Sequence, residues 1–359
     1  MRKCEVLMKK MSKSSRSAFI NYGIVVIFYL LVQLLVVQGK VSSSLQGQLV
    51  PICVYVIMAL SLNLVVGISG ELSLGHAGFM SVGAFTGVIV SMSLKNAVPA
   101  GAARLILAII IGAAVAAVMG IVIGIPVLRL QGDYLAIVTL AFGEIIKNVL
   151  NCLYIGVDGQ GLHFSMTDAN SMNMAVDGTV ILNGPIGAVG IQKLSTFTAG
   201  ILLLLLVLFY MQNLVNSRNG RAIKAIRDSR IAAEACGLNI TEYKLKAFVI
   251  SAAMAGAAGA LYALNYSTVV PKKFDFNTSI LILVFVVLGG IGNLRGSMIA
   301  AALLTVLPEL LRQFQDYRML VYAIVLILVM LVTNNEEAKA LAGRIGDRFR
   351  RKSPVPKKE

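Results

Sequence analysis

The sequence predicts an all-α, polytopic integral membrane protein of about ten transmembrane helices with both termini cytoplasmic. Three observations carry that expectation. Of 359 residues, 57% are hydrophobic and only 14% charged, with a mean hydropathy of +0.82, whereas soluble domains carry roughly a quarter charged residues. Several runs reach the roughly 20 apolar residues needed to cross a hydrocarbon core of about 30 Å. Those runs lack period-2 alternation, so helices, which pair every backbone N–H and C=O internally, are expected rather than a barrel.

Candidate spans lie near residues 18–37, 48–67, 78–94, 103–127, 133–153, 194–213, 246–264, 278–291, 297–311 and 318–333. The first exceeds the apolar core of a secretory signal and is followed by no clear small-x-small cleavage site, so it is read as a retained span. The formal charge of +15 falls in short connections, where Lys and Arg set topology rather than bind nucleic acid. A basic N-terminal arm (1–17, with Arg2, Lys3, Lys9, Lys10, Lys13 and Arg16) and a basic tail (334–359) belong in the cytoplasm. They flank a transmembrane domain, 18–333.

Ten crossings place the basic connection 214–245 inside. The longest polar connection, 154–193, with Asp158, Asp168, Asp177 and a single lysine, then falls outside. Lys272 and Lys273, and Arg312 with Arg318, go against this trend. The glycine pairs Gly83/Gly87 and Gly120/Gly124, and the small-residue run Ser251 to Ala260, suit close helix crossings. Cys4, Cys53, Cys152 and Cys236 are scattered, with no metal-site spacing and no support for a disulfide.

Two segments carry polar residues that matter at membrane depth. "GISGELSLGHAGFMSVGAF", Gly67 to Phe85, has the glycines, serines and histidine of broken backbone, tolerated at membrane depth only under protein or beside water. It reads either as a pathway lining or as a tight cytoplasmic hairpin; Ser73 and His76 within it, and Asn63 just before it, are candidate pathway residues. "RLQGDYLAIVTLAFGEIIKNVL", Arg129 to Leu150, places Glu144 about 16 Å along a helix begun at Asp133. A carboxylate at mid-membrane costs at least about 2.5 kcal/mol unless paired or wetted. Glu144 is therefore a pathway candidate or half of a structural pair with Lys147, one turn on.

A third glycine cluster, Leu288 to Gly296, is not phosphate-binding: no G-x-x-x-x-G-K-[ST] occurs, and neither H-E-x-x-H nor Gly-x-Ser-x-Gly is present. The chain therefore lacks a nucleotide site of P-loop type and shows no catalytic motif. The connection "RNGRAIKAIRDSRIAAEACGLNITEYKLKAF", Arg218 to Phe248, interleaves Ile223, Ile226, Ala233 and Leu238 with Arg221, Lys224, Arg227, Asp228 and Arg230. It reads as short amphipathic helices, with Gly237 suited to end one of them.

That segment resembles the cytoplasmic coupling loop of ATP-binding cassette importer permeases. Together with "LSLNLVVGISGELSLGHAGFMSVGAF", "RLQGDYLAIVTLAFGEIIKNVL" and "ILILVFVVLGGIGNLRGSMIAAALL", it makes residues from about 50 to 333 similar to the M-type permease family for branched-chain amino acids. The resemblance implies ATPase-coupling roles for Glu234, Ala235 and Gly237, flanked by Arg221, Arg227 and Ala233. It also implies a homologous second permease subunit, two cytoplasmic P-loop ATPases that bind the ATP, a binding protein outside, and a place in a bacterial inner membrane. No cofactor in the chain itself is expected. The family's outer loop usually reads close to Thr-Gly-Gly-x-x-Gly-Leu; here it is "GVDGQGLHFSM", which leaves the docking surface for a binding protein open. Urea, a short amide or another amino acid is an alternative cargo, and a secondary transporter or channel the alternative class.

Overall fold

The computed structural model describes residues 13–311 except 40, 41, 96, 131, 159, 160, 169, 173 and 175–177, together with 320, 323, 324 and 327. Most of the expected tenth span and of the N-terminal arm, and the basic tail, Asp177, Arg312 and Arg318, lie outside the described residues. Contacts divide the chain into a unit of Met1–Ala302 and a smaller one of Leu303–Glu359. In the second, the end of one helix and a few further helical positions are described.

The helices are α1 (Lys13–Val37), α2 (Ser43–Asn63), α3 (His76–Ser93), α4 (Gly101–Val127), α5 (Asp133–Asn151), α6 (Phe197–Asn216), α7 (Arg218–Asp228), α8 (Arg230–Ala235), α9 (Ile240–Ala263), α10 (Phe276–Gly289) and α11 (Leu294–Leu310). A π-helical turn, Leu64–Ser69, continues α2. Among the described residues seven helices are long and apolar enough to cross a membrane: α1, α2 with its π turn, α3, α4, α5, α6 and α9. The chain is a polytopic, predominantly helical membrane protein. The expected spans 278–291 and 297–311 appear as α10 and α11, of 14 and 17 residues. At about 1.5 Å per residue, α10 is only about 21 Å long, short of the hydrocarbon thickness.

Lipid supplies no hydrophobic drive between helices, so close backbone approach must hold the bundle. α3, α4 and α9 meet through their small residues. A Cβ at Gly87 would lie 2.7 Å from that of Ala260, one at Gly120 2.8 Å from that of Ala252, and one at Gly112 3.0 Å from the Gly83 carbonyl. The expected crossings at Gly83/Gly87, Gly120/Gly124 and Ser251 to Ala260 are therefore present. Rows at helical spacing face outward instead: Ile106, Ile110, Val118 and Val122 on α4, and Leu202, Leu206 and Phe209 on α6. Such exposed apolar stripes suit lipid.

The connection 154–193, read from sequence only as polar, folds into strands β1 (Tyr154–Asp158), β2 (Gly161–Ser165), β3 (Thr179–Asn183) and β4 (Ala188–Val189). With β5 (Thr268–Val269) they form an antiparallel sheet in the order β2-β1-β3-β4-β5. The alternating run at 154–165 was masked in the sequence by its glycines. Because α9, about 36 Å long by its 24 residues, runs from α8 to β5, the sheet and the α7–α8 pair stand at opposite ends of the bundle.

Candidate functional site

The α7–α8 pair is assembled by local sequence signals. Three side chains cap three helices: Ser217 accepts from the Gly220 N–H (3.2 Å), Ser229 from that of Ala232 (3.3 Å) and Asn239 from that of Glu242 (3.3 Å). Ser229 thus ends α7 and starts α8. Gly237, at φ +78°, closes α8 in the αL conformation: its N–H donates to the Glu234 carbonyl (2.9 Å) and that of Leu238 to the Ala233 carbonyl (3.1 Å). Ile226, Ala233 and Ile240 form a small buried core, with Leu238 and Tyr243 packed against it.

The six expected coupling residues divide into an exposed group, a pair held on backbone, and the buried Ala233. Glu234, Ala235 and Gly237 are exposed, on a helix in which only Ala233 is buried. Arg230 Nε lies 3.5 Å from Glu234 Oε1 across one turn. Arg221 and Arg227, read from sequence as parts of a basic face, are engaged on backbone. Arg221 Nη1 donates to the Asn216 carbonyl (3.0 Å) and Lys224 Nζ to that of Val215 (3.5 Å). Both satisfy orphan acceptors and the negative dipole end of α6. Arg227 Nη1 donates to the Gly67 carbonyl (2.8 Å), in the π turn, while its Nε and Nη2 hold Asp228.

The four pathway candidates do not form one site. Asn63 is fully buried; its Oδ1 accepts from the Gly292 N–H (2.9 Å) and its Nδ2 donates to Ser297 Oγ (2.9 Å). His76, the first residue of α3, is buried with Nε2 2.7 Å from Ser61 Oγ. Ser61 spends its hydroxyl hydrogen on the Met58 carbonyl (2.8 Å), so the imidazole donates from Nε2. Ser73 is buried, and its hydroxyl has no hydrogen-bond partner among the described residues.

Glu144 pairs with Lys147, as the spacing predicted. It lines a narrow crevice with Leu74, Gly78, Asp275 and Ser279. The sequence reading missed Asp275 and Ser279. Asp275 caps α10, accepting from the Thr278 N–H (3.0 Å), and Ser279 Oγ accepts from the Ala77 N–H (3.1 Å). The starts of α3 and α10 therefore meet beside Glu144. Asp275-x-x-Thr278 is an N-cap signal visible in sequence; its spatial neighbour was not. Among the described residues no group of three or more His, Cys, Asp or Glu side chains is placed to hold a metal.

A bundle of apolar helices with broken segments in its interior and a capped, exposed helical pair at one end has the form of a membrane permease. The chain belongs to the family described as branched-chain amino acid transport system / permease component, which matches residues 44–330. It is 37% identical over 302 residues to the high-affinity branched-chain amino acid transport system permease protein LivM of Salmonella typhimurium, and equally to that of Escherichia coli. The match covers 77% of this chain and 66% of theirs. A probable LivM of Methanocaldococcus jannaschii is 27% identical over 270 residues, 67% of this chain and 74% of its own. The LivH permease protein of Escherichia coli is 35% identical over 118 residues, 32% of this chain and 38% of its own. No solved structure matches the chain.

Proposed function

We propose that this chain is the membrane permease subunit of an ATP-binding cassette importer that moves leucine, isoleucine and valine into the cytoplasm by alternating access. The observation that carries the reading is the exposed α8 helix with Glu234, seated through Ala233 on a buried base, in a chain of the branched-chain permease family. A solvent-facing short helix with capped ends suits insertion into a groove of a soluble protein. Two cytoplasmic P-loop ATPases would bind and hydrolyse the ATP; this chain makes and breaks no covalent bond and holds no cofactor of its own.

Similarity to both LivM and LivH supports a second, homologous permease subunit as the partner within the membrane. An extracytoplasmic binding protein would deliver the cargo at the sheet end, and the bacterial inner membrane is the proposed setting. The pathway is proposed to pass the crevice at Glu144, where two helix starts meet. The test is uptake of labelled leucine, isoleucine and valine beside urea and other amino acids, in cells with and without this chain, with co-purification of the ATPases. Uptake of urea alone would overturn the cargo. Uptake without any ATPase would overturn the class.

A further inference from the structure

A coupling helix acts only if its movement reaches the broken segments inside the membrane, and one polar cluster connects the two. The π turn Leu64–Ser69 holds an extra residue per turn, a feature frequent at functional sites. It is held at three points. Arg227 of α7 donates to the Gly67 carbonyl at its middle (2.8 Å). Glu71, just past its end, pairs with Lys244 of α9, both largely buried. Asn63, just before its start, holds the turn between α10 and α11 through the Gly292 N–H and the first turn of α11 through Ser297 Oγ, both at 2.9 Å.

The packing brings these groups into direct contact. A Cβ at Gly67 would lie 2.8 Å from Gly292 Cα, and one at Gly292 3.3 Å from the Gly67 carbonyl oxygen and 3.9 Å from Arg227 Nη1. Two backbones and one guanidinium thus share a seam that only glycine permits, and Gly292 sits at φ +81°. Asn63 and Ser297 are fully buried. In that setting a lost partner leaves a donor with no water to turn to.

We propose that Asn63 is a positioning residue that transmits the displacement of α7, received through Arg227 and Gly67, to the Gly290–Asn293 turn and so to α10. α10 begins at Asp275 beside Glu144, so the other end of the moved element is the crevice itself. This rests on reading the chain as an ATP-driven permease. A static brace at Asn63 would lower stability and leave the number of cargo molecules moved per ATP unchanged; a transmission element changes that ratio.

The complete importer, with both ATPases, the second permease and the binding protein, is reconstituted in liposomes, and uptake and ATP hydrolysis are measured on the same preparation. For Asn63→Ala, hydrolysis within about twofold of wild type and a fall in uptake per ATP on the order of tenfold are expected. Ser297→Ala removes one hydroxyl and should lower the ratio about threefold; it decides the matter if Asn63→Ala does not insert. Uptake and hydrolysis falling in proportion, or an unchanged ratio, overturns the proposal. A wild-type complex without ATP-driven uptake overturns the permease reading and this one with it, whereas a changed ratio beside an active wild type upholds both.

Discussion

α7 and α8 are consecutive and joined by one serine, yet they are used in opposite ways. In α7, Ile223 and Ile226 are buried, and Arg221, Lys224 and Arg227 point their charges at backbone carbonyls of α6 and the π turn. In α8, everything but Ala233 faces outward. The first helix is fastened to the membrane core; the second is presented. Basic residues in such a segment therefore do not by themselves mark a contact with a partner: three of the α7 cations serve to end one helix and hold a turn.

The contrast sets an order of expected effects. Glu234→Lys reverses a charge on the presented helix, where like-charge juxtaposition against a partner costs several kcal/mol. Uptake should vanish while the protein stays in the membrane at wild-type level; normal uptake would remove Glu234 from the coupling role. Ile226→Ala empties the shared core beneath both helices at a cost of roughly 2–4 kcal/mol, read as earlier protease cleavage between Ser229 and Asn239. Protection equal to wild type would show that α8 does not depend on its seat. Gly237→Ala imposes a left-handed conformation on an L side chain at about 1 kcal/mol and should lower uptake only partly. The smallest change is expected of Arg230→Ala. Its pair with Glu234 spans 3.5 Å between side chains about half exposed, so after solvent screening the loss is below about 0.5 kcal/mol; a larger defect in uptake would mean that Arg230 itself meets the partner.

The helical bundle was legible because lipid imposes a single requirement, internal pairing of the backbone, that composition and run length reveal directly. Gly237 as a helix end and Glu144–Lys147 as a one-turn pair were legible because both are local. What escaped is non-local. Nothing near Asn63 in sequence announces Gly292 or Ser297, more than two hundred positions on, and nothing near Glu144 announces Asp275. The short α10 was read as a full span because its 14 residues are as apolar as any; its start is set by Asp275 within the fold. The sheet was missed because β1 to β4 are short and separated by glycines that read as loop.

The two ends of the bundle also differ in a practical respect. Among the described residues Cys152 ends α5 beside β1 and Cys236 follows α8; both are exposed, while Cys53 is buried. One accessible thiol therefore stands at each pole. If the sheet faces outward, a membrane-impermeant maleimide given to intact cells tags Cys152 and spares Cys236, and permeabilised cells expose both. The protein carries its own compass, and the orientation of the chain in the membrane becomes readable without engineering a reporter into it.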